Sequence, residues 1–156
     1  MVCDTGPLVA AISRRDRHHA LCRQLFEAHV DAALIVPVTV AVEVDYLIRS
    51  RVSLTSARAF LTDLDEGPYL LEPVSPDVLA RARAIDARYA DANLGLVDSS
   101  VIAVAERLGA DAIATLDHAD LRLAGEGRWS LLPPWHDDAA GVYTPPRRDL
   151  DLPHLE

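Results

Sequence analysis

Ala112-Ile113-Ala114-Thr115-Leu116-Asp117 is a short apolar run closed by an acid, and the fold follows from how such runs recur along the chain. Met1-Val2-Cys3-Asp4 has the same form at the start, while Ala33-Leu34-Ile35-Val36 and Tyr69-Leu70-Leu71 are similar runs bounded by turn residues or acids. Apolar runs this short, without polar alternation, read as buried strands of a parallel sheet. Between them lie stretches with helical spacing: Ala20 to Ala28, Val40 to Ile48, Leu54 to Leu64, Val78 to Tyr89 and Val101 to Leu108. Strand and helix alternate, so the sequence predicts an α/β chain with a parallel sheet covered by helices.

Punctuation supports these boundaries. Ser75-Pro76 reads as an N-cap followed by Pro at the first helical position, Gly67-Pro68 ends the helix before it, and Asn93 with Gly95 ends the Val78 helix. Val78, Ala82, Ile85 and Tyr89 form one apolar face. Trp129 to Leu132 reads as a last strand. After it Pro133-Pro134, Gly141, Pro145-Pro146 and Pro153 interrupt every window in which regular structure would propagate. The expected organisation is therefore one domain over 1–132 and an irregular Pro-rich tail over 133–156.

The length of 156 residues matches a single domain with a sizeable core. Twenty-four acidic against 15 basic residues give a formal charge of −9, which argues against coating nucleic acid by bulk attraction, so any such contact must be local. Every basic residue is Arg. That excludes a P-loop lysine, a Schiff-base lysine and the lysine of a phosphotransfer receiver. Cys3 and Cys22 form no C-x-x-C pair, and Asp4-Thr5-Gly6 does not supply the D-x-D-x-T of a haloacid-dehalogenase-like phosphatase. No apolar run reaches the ~18 residues of a membrane span and no signal-peptide pattern opens the chain, so a cytoplasmic location is expected.

Two acids stand where the helical pattern calls for an apolar residue. Glu43 falls inside the stripe Val40, Val44, Leu47 and Ile48, whereas Asp45 points away; Asp98, one turn before Ile102, begins the stripe of Val101, Ile102 and Ala105. Burying an ionised carboxylate costs several kcal/mol unless a partner compensates. Asp4 and Asp117 arrive differently, at strand carboxyl ends, where open α/β sheets place their ligand crevice. Taken singly, Asp98 reads as an N-cap, Asp4 and Asp117 as turn formers, and Glu43 as the partner of Arg49 or Arg81. Taken together, four acids in one crevice without lysine call for a hard divalent cation with oxygen ligands, Mg²⁺ or Mn²⁺ rather than zinc.

Asp4-Thr5-Gly6-Pro7-Leu8, Glu43 within Val40-Ala41-Val42-Glu43-Val44, Asp98 within Leu96-Val97-Asp98-Ser99-Ser100-Val101-Ile102-Ala103, and Thr115-Leu116-Asp117 together resemble a PIN-domain nuclease. Order and spacing are most similar to the VapC-type toxins of bacterial toxin-antitoxin pairs, over roughly Met1 to Leu132. The resemblance implies a PIN-like, Rossmann-like three-layer α/β/α sandwich with a short central parallel sheet, and Mg²⁺- or Mn²⁺-dependent endonucleolytic cleavage of RNA. Position by position, Asp4, Glu43, Asp98 and Asp117 match the family's acidic quartet, with Asp4, Asp98 and Asp117 as metal ligands and Glu43 positioning the metal or a coordinated water. Asp120 matches a more variable acidic position and Thr115 a supporting hydroxyl. The implied mechanism is hydrolysis by a metal-activated water with one or two ions, which in two-metal sites lie about 3.5–4 Å apart. Implied partners are an RNA substrate, a cognate antitoxin that places a basic side chain near the acids, and a second copy in a homodimer, for which Ala20 to Ala28 and Leu54 to Leu64 are candidate helices.

Other features have simpler readings. Arg14, Arg15 and Arg17, beside His18-His19, form the densest basic cluster, either a grip on RNA phosphates or a solvated loop. His136-Asp137-Asp138 falls in the expected tail and reads as no metal motif, while Trp129, Cys3 and Cys22 read as buried packing. The competing functional class is a catalytically silent PIN-like module that binds RNA or protein.

Overall fold

The structure, a computed structural model, describes residues 1–118, 121 and 128–133; Asp120 and the tail from 134 onward, with its His136-Asp137-Asp138, lie outside the described residues. Five strands, β1 (Val2–Cys3), β2 (Leu34–Pro37), β3 (Tyr69–Glu72), β4 (Ala112–Ala114) and β5 (Ser130–Leu132), form one sheet in the order β3-β2-β1-β4-β5. Every pairing is parallel, with Val2 opposite both Ile35 and Ile113. The helices between them are α1 (Thr5–Ile12), α2 (His19–Ala28), α3 (Val38–Arg51), α4 (Leu54–Asp65), α5 (Pro76–Arg88) and α6 (Gly95–Leu108). Parallel strands require right-handed crossovers, and the chain moves from β1 to β3 in one direction and from β3 to β4 in the other. The crossovers carrying α1–α4 and α5–α6 therefore cover opposite faces. Strand order reverses between β1 and β4, which makes their carboxyl ends the topological switch point of the sheet.

The core explains the apolar runs. Val2, Cys3, Val36, Ile113 and Ala114 have no exposed surface, and Leu8, Leu25, Val40, Val44, Ile48, Ala82, Ile85 and Ile102 pack around them from the helices. Trp129 is buried, as expected, and so are both cysteines. Burial pushes the Cys3 and Cys22 thiols up to about 12, so neither is a thiolate near neutrality. Among the described residues no helix is long and apolar enough to cross a membrane.

One helix is not foreseen by the sequence, and three expectations need correction. The segment after Asp4 is helical: α1 begins at Thr5 although Gly6 and Pro7 follow, because the first turn of a helix needs no amide hydrogen from Pro. The strand read as Ala112 to Leu116 ends at Ala114; the Thr115 amide makes a last bond to the carbonyl of Leu132 in β5 at 2.8 Å while its hydroxyl turns to Asp4. Strand β3 is not buried, since Leu70 and Leu71 are 57% and 48% exposed at the edge of the sheet. Finally, α6 starts at Gly95 with Leu94 as its N-cap, so Asp98 lies inside the first turn and is not the cap. Asn93, in the left-handed region at φ 51°, separates α6 from a 3-10 turn over Ala90–Ala92.

Ile113 sits fully buried in β4, paired between β1 and β5. Ile113→Ala is expected to destabilise the fold by about 2–5 kcal/mol through reduced burial and the cavity left behind, read as a lowered urea midpoint at unchanged slope.

Candidate active site

Asp4 stands where β1 passes into α1, and its surroundings define the site. Its amide hydrogen-bonds to Ala114 O at 2.9 Å, which fixes it against the end of β4. Its Oδ1 accepts from the Thr5 amide at 2.6 Å, capping α1, and its Oδ2 accepts from the Thr115 hydroxyl at 2.9 Å. Asp4 is 6% exposed. The hydroxyl oxygen of Thr115 in turn accepts the Asp117 amide at 2.9 Å, so one side chain organises both the buried acid and the loop that carries the exposed one. Gly6 allows this loop to close on α1: a Cβ there would stand 3.3 Å from Cβ of Leu116.

Glu43 reaches the same place from α3. Its half-buried carboxylate accepts the Thr5 hydroxyl at 2.6 Å, and neither arginine proposed as its partner serves it. Arg49 binds Asp45 at 2.7 Å, and Arg81 grips Glu106 through two hydrogen bonds of 2.6 and 2.9 Å. Thr5 is the functional residue that the sequence reading missed, because a hydroxyl beside an acid in a turn has no pattern of its own. Asp98, half-buried, comes from the first turn of α6. Thr39 and Ser100 hold the amino ends of α3 and α6 together: the Ser100 hydroxyl donates to Val97 O at 2.7 Å, leaving the Thr39 hydroxyl to donate to Ser100 across 2.6 Å.

Burial pushes the Asp4 carboxyl above the usual aspartate range, and the charges of Glu43 and Asp117 push it in the same direction. The hydrogen bonds from Thr115 and Thr5 pull it down without reversing the shift. An acid held at a switch point among other acids, with hydroxyls rather than guanidinium groups as its neighbours, has the hard, anionic oxygen chemistry that suits Mg²⁺ or Mn²⁺. The structure couples Asp4 to Glu43 and Asp117, but among the described residues no three His, Cys, Asp or Glu side chains are gathered closely enough to hold an ion by themselves, so the four acids do not converge as the sequence predicts. The donor set thus fits a divalent cation by its hard oxygen chemistry and not by a preformed cluster of ligands.

The sequence profile of the PIN domain family matches residues 1–126. Over 136 residues the chain is 30% identical to Ribonuclease VapC26 of Mycobacterium tuberculosis, which spans 85% of this chain and 100% of that protein. The crystal structure of Mycobacterium tuberculosis VapC20, described as a sarcin-ricin loop cleaving toxin, superposes with a TM-score of 0.72. That match covers 78% of this chain and 93% of the other at 19% identity, a likeness of fold.

Because the folded protein holds Asp4 above its ordinary pKa, Asp4 contributes stability that is fully present below the unfolded value of about 3.9 and is lost as pH rises through the folded one. In thermal melts without divalent ions, Asp4→Asn should gain stability over the natural chain as pH rises from about 4 to 8. A constant difference across that range would contradict the electrostatic description of the site.

Proposed function

The chain belongs to the PIN-domain family, and from that membership we propose that it is a metal-dependent endoribonuclease acting as the toxin of a toxin-antitoxin pair. The observation that carries this reading is Asp4, buried at the β1–β4 switch point and within the electrostatic reach of Glu43 and Asp117. The ribonuclease named among its relatives, matched along its whole length, supports the same chemistry.

In this reading Asp4, Asp98 and Asp117 hold Mg²⁺ or Mn²⁺, and Glu43 positions the ion or the attacking water. When bound, such an ion supplies the Lewis-acid charge for hydrolysis of a phosphodiester by in-line displacement. The chain's own part is to fix the donors. Thr115 orients Asp4 and the Asp117 loop, Thr5 orients Glu43, and the Thr39–Ser100 pair keeps the helices of Glu43 and Asp98 in register. Burial keeps water from solvating Asp4 in place of an ion.

Partners follow from the same surfaces. An acidic crevice attracts a basic side chain, which fits silencing by an antitoxin that inserts one. Homodimerisation is supported by α3, where Val38, Val42 and Tyr46 follow at four-residue spacing and Val42 and Tyr46 are 67% and 68% exposed. Leu54 and Leu61 of α4 add exposed apolar surface, whereas the α2 residues Cys22 and Leu25 face the core.

Incubating the purified chain with transfer, ribosomal and messenger RNAs should give discrete products with Mg²⁺ or Mn²⁺ and none with EDTA or with Asp4→Asn. Thr115→Val, which removes only the orienting hydroxyl, is expected to lower the rate about 10- to 100-fold. No cleavage by folded, antitoxin-free protein would favour a binding module instead. Sedimentation should show a dimer that Val42→Asp with Tyr46→Asp converts to monomer.

A further inference from the structure

The acid crevice is one end of a two-ended device. Helices α1 and α3 both leave it: α1 begins next to Asp4 and ends at Ile12, while α3 runs from Glu43 to Arg51. Each traverse covers eight residues, about 12 Å at 1.5 Å per residue. Both helices end at a cavity of about 800 Å³ whose walls carry Arg14, Arg15, Arg23, Arg51 and His19, and no acidic side chain. The amino end of α4 opens on the same space, with Ser56 in its wall.

Arg49, Arg81, Arg107 and Arg128 are each bound to an Asp or Glu, and Arg23 shares its charge with Glu27 at 2.7 Å. Arg14, Arg15 and Arg51 have no acid partner among the described residues, although the chain carries nine more acids than bases. Arg17, Arg58 and Arg83 also lack an acid partner among the described residues, but none of them lines this cavity, where three such arginines gather. Three uncompensated guanidinium groups in one cavity repel one another unless an anion joins them. His19 is held in the wall by its ring Nδ1–H, which donates to Ala10 O at 2.9 Å.

We propose that this arginine cavity is a second RNA contact that grips a backbone phosphate flanking the one at the acids. The inference rests on the ribonuclease reading and adds to it where the substrate is held. Guanidinium groups match phosphate oxygens in planar, paired geometry. A separation of about 12 Å lies within the span of a few nucleotides of one strand, whose charges recur every ~3.4 Å along the axis of a stacked helix. A chain that repels RNA overall would hold it at two points of opposite character, an ion-mediated contact at the acids and a direct one at the arginines.

The test is binding of a short, labelled single-stranded RNA in EDTA by Asp4→Asn protein, so that cleavage is blocked. Combined Arg14→Ala, Arg15→Ala and Arg51→Ala should weaken binding at least tenfold near 50 mM salt and make log Kd against log salt shallower by about 0.7 for each phosphate that is no longer gripped. Arg81→Ala, on a paired arginine, serves as the control that should match the parent. Circular dichroism melts confirm that the variants fold. Unchanged RNA affinity and slope in the triple variant overturn the proposal, even where the natural chain cuts RNA with Mg²⁺. Loss of binding to a polyglutamate peptide with RNA binding intact also overturns it, in favour of an acidic protein partner. Weakened RNA binding in the triple variant of a protein that cuts no RNA keeps the phosphate grip and removes the nuclease.

Discussion

A carboxylate excluded from water at the end of the first strand is the constraint around which the molecule is arranged. Asp4 closes β1, caps α1, accepts the Thr115 hydroxyl from the end of β4 and donates its backbone amide to Ala114. These bonds tie it to both central strands and to the first helix. The carboxylate therefore cannot be satisfied unless those elements are already in register. Its burial is unfavourable for the charged form, and the neighbouring acids add to the cost. The fold thus holds its least favourable charge at the switch point, where the two central strands and the first helix meet.

The alternation of short apolar runs with helical spacing is enough to recover the parallel sheet, because buried strands and amphipathic helices leave different periods in a sequence. Glu43 is legible for the same reason, as a charge inside an apolar stripe. Thr5 is not, since its hydroxyl matters through a hydrogen bond with a residue 38 positions away. Helix α1 is hidden by Gly6 and Pro7, which break helices in general but are harmless in a first turn. The start of α6 is hidden by Gly95, whose φ of 70° reads locally as a stop. Moving that start upstream changes the meaning of Asp98 from a cap to a side chain carried by a helix tied to α3.

Electrostatics divides the surface unevenly. Most described acid–arginine pairs are exposed and local, such as Arg23–Glu27 and Arg49–Asp45, or join α6 to its neighbours, as Glu106 does with Arg81 and Arg128. Pairs of that kind add little to stability. Their effect is subtraction: they neutralise charge over the flanks and leave local concentrations of it, among them Asp4 with Glu43 at one end and Arg14, Arg15 and Arg51 where α1 and α3 finish. Local charge, rather than the overall −9, then governs what the protein attracts.

The open edge of the sheet at β3 has its own consequence for how the protein behaves in concentrated solution. Leu70 and Leu71 are exposed on a strand that pairs with β2 on one side, an arrangement that invites a foreign strand to add to it. Pro68 and Pro73 flank the strand and lack amide hydrogens, and Glu66 brings negative charge to its start. Any intruding strand is thus offered no more than the four residues from Tyr69 to Glu72, fewer than the roughly six or seven of a fibre-forming segment. The same short edge that leaves two leucines in water also guards the fold against growing into fibres.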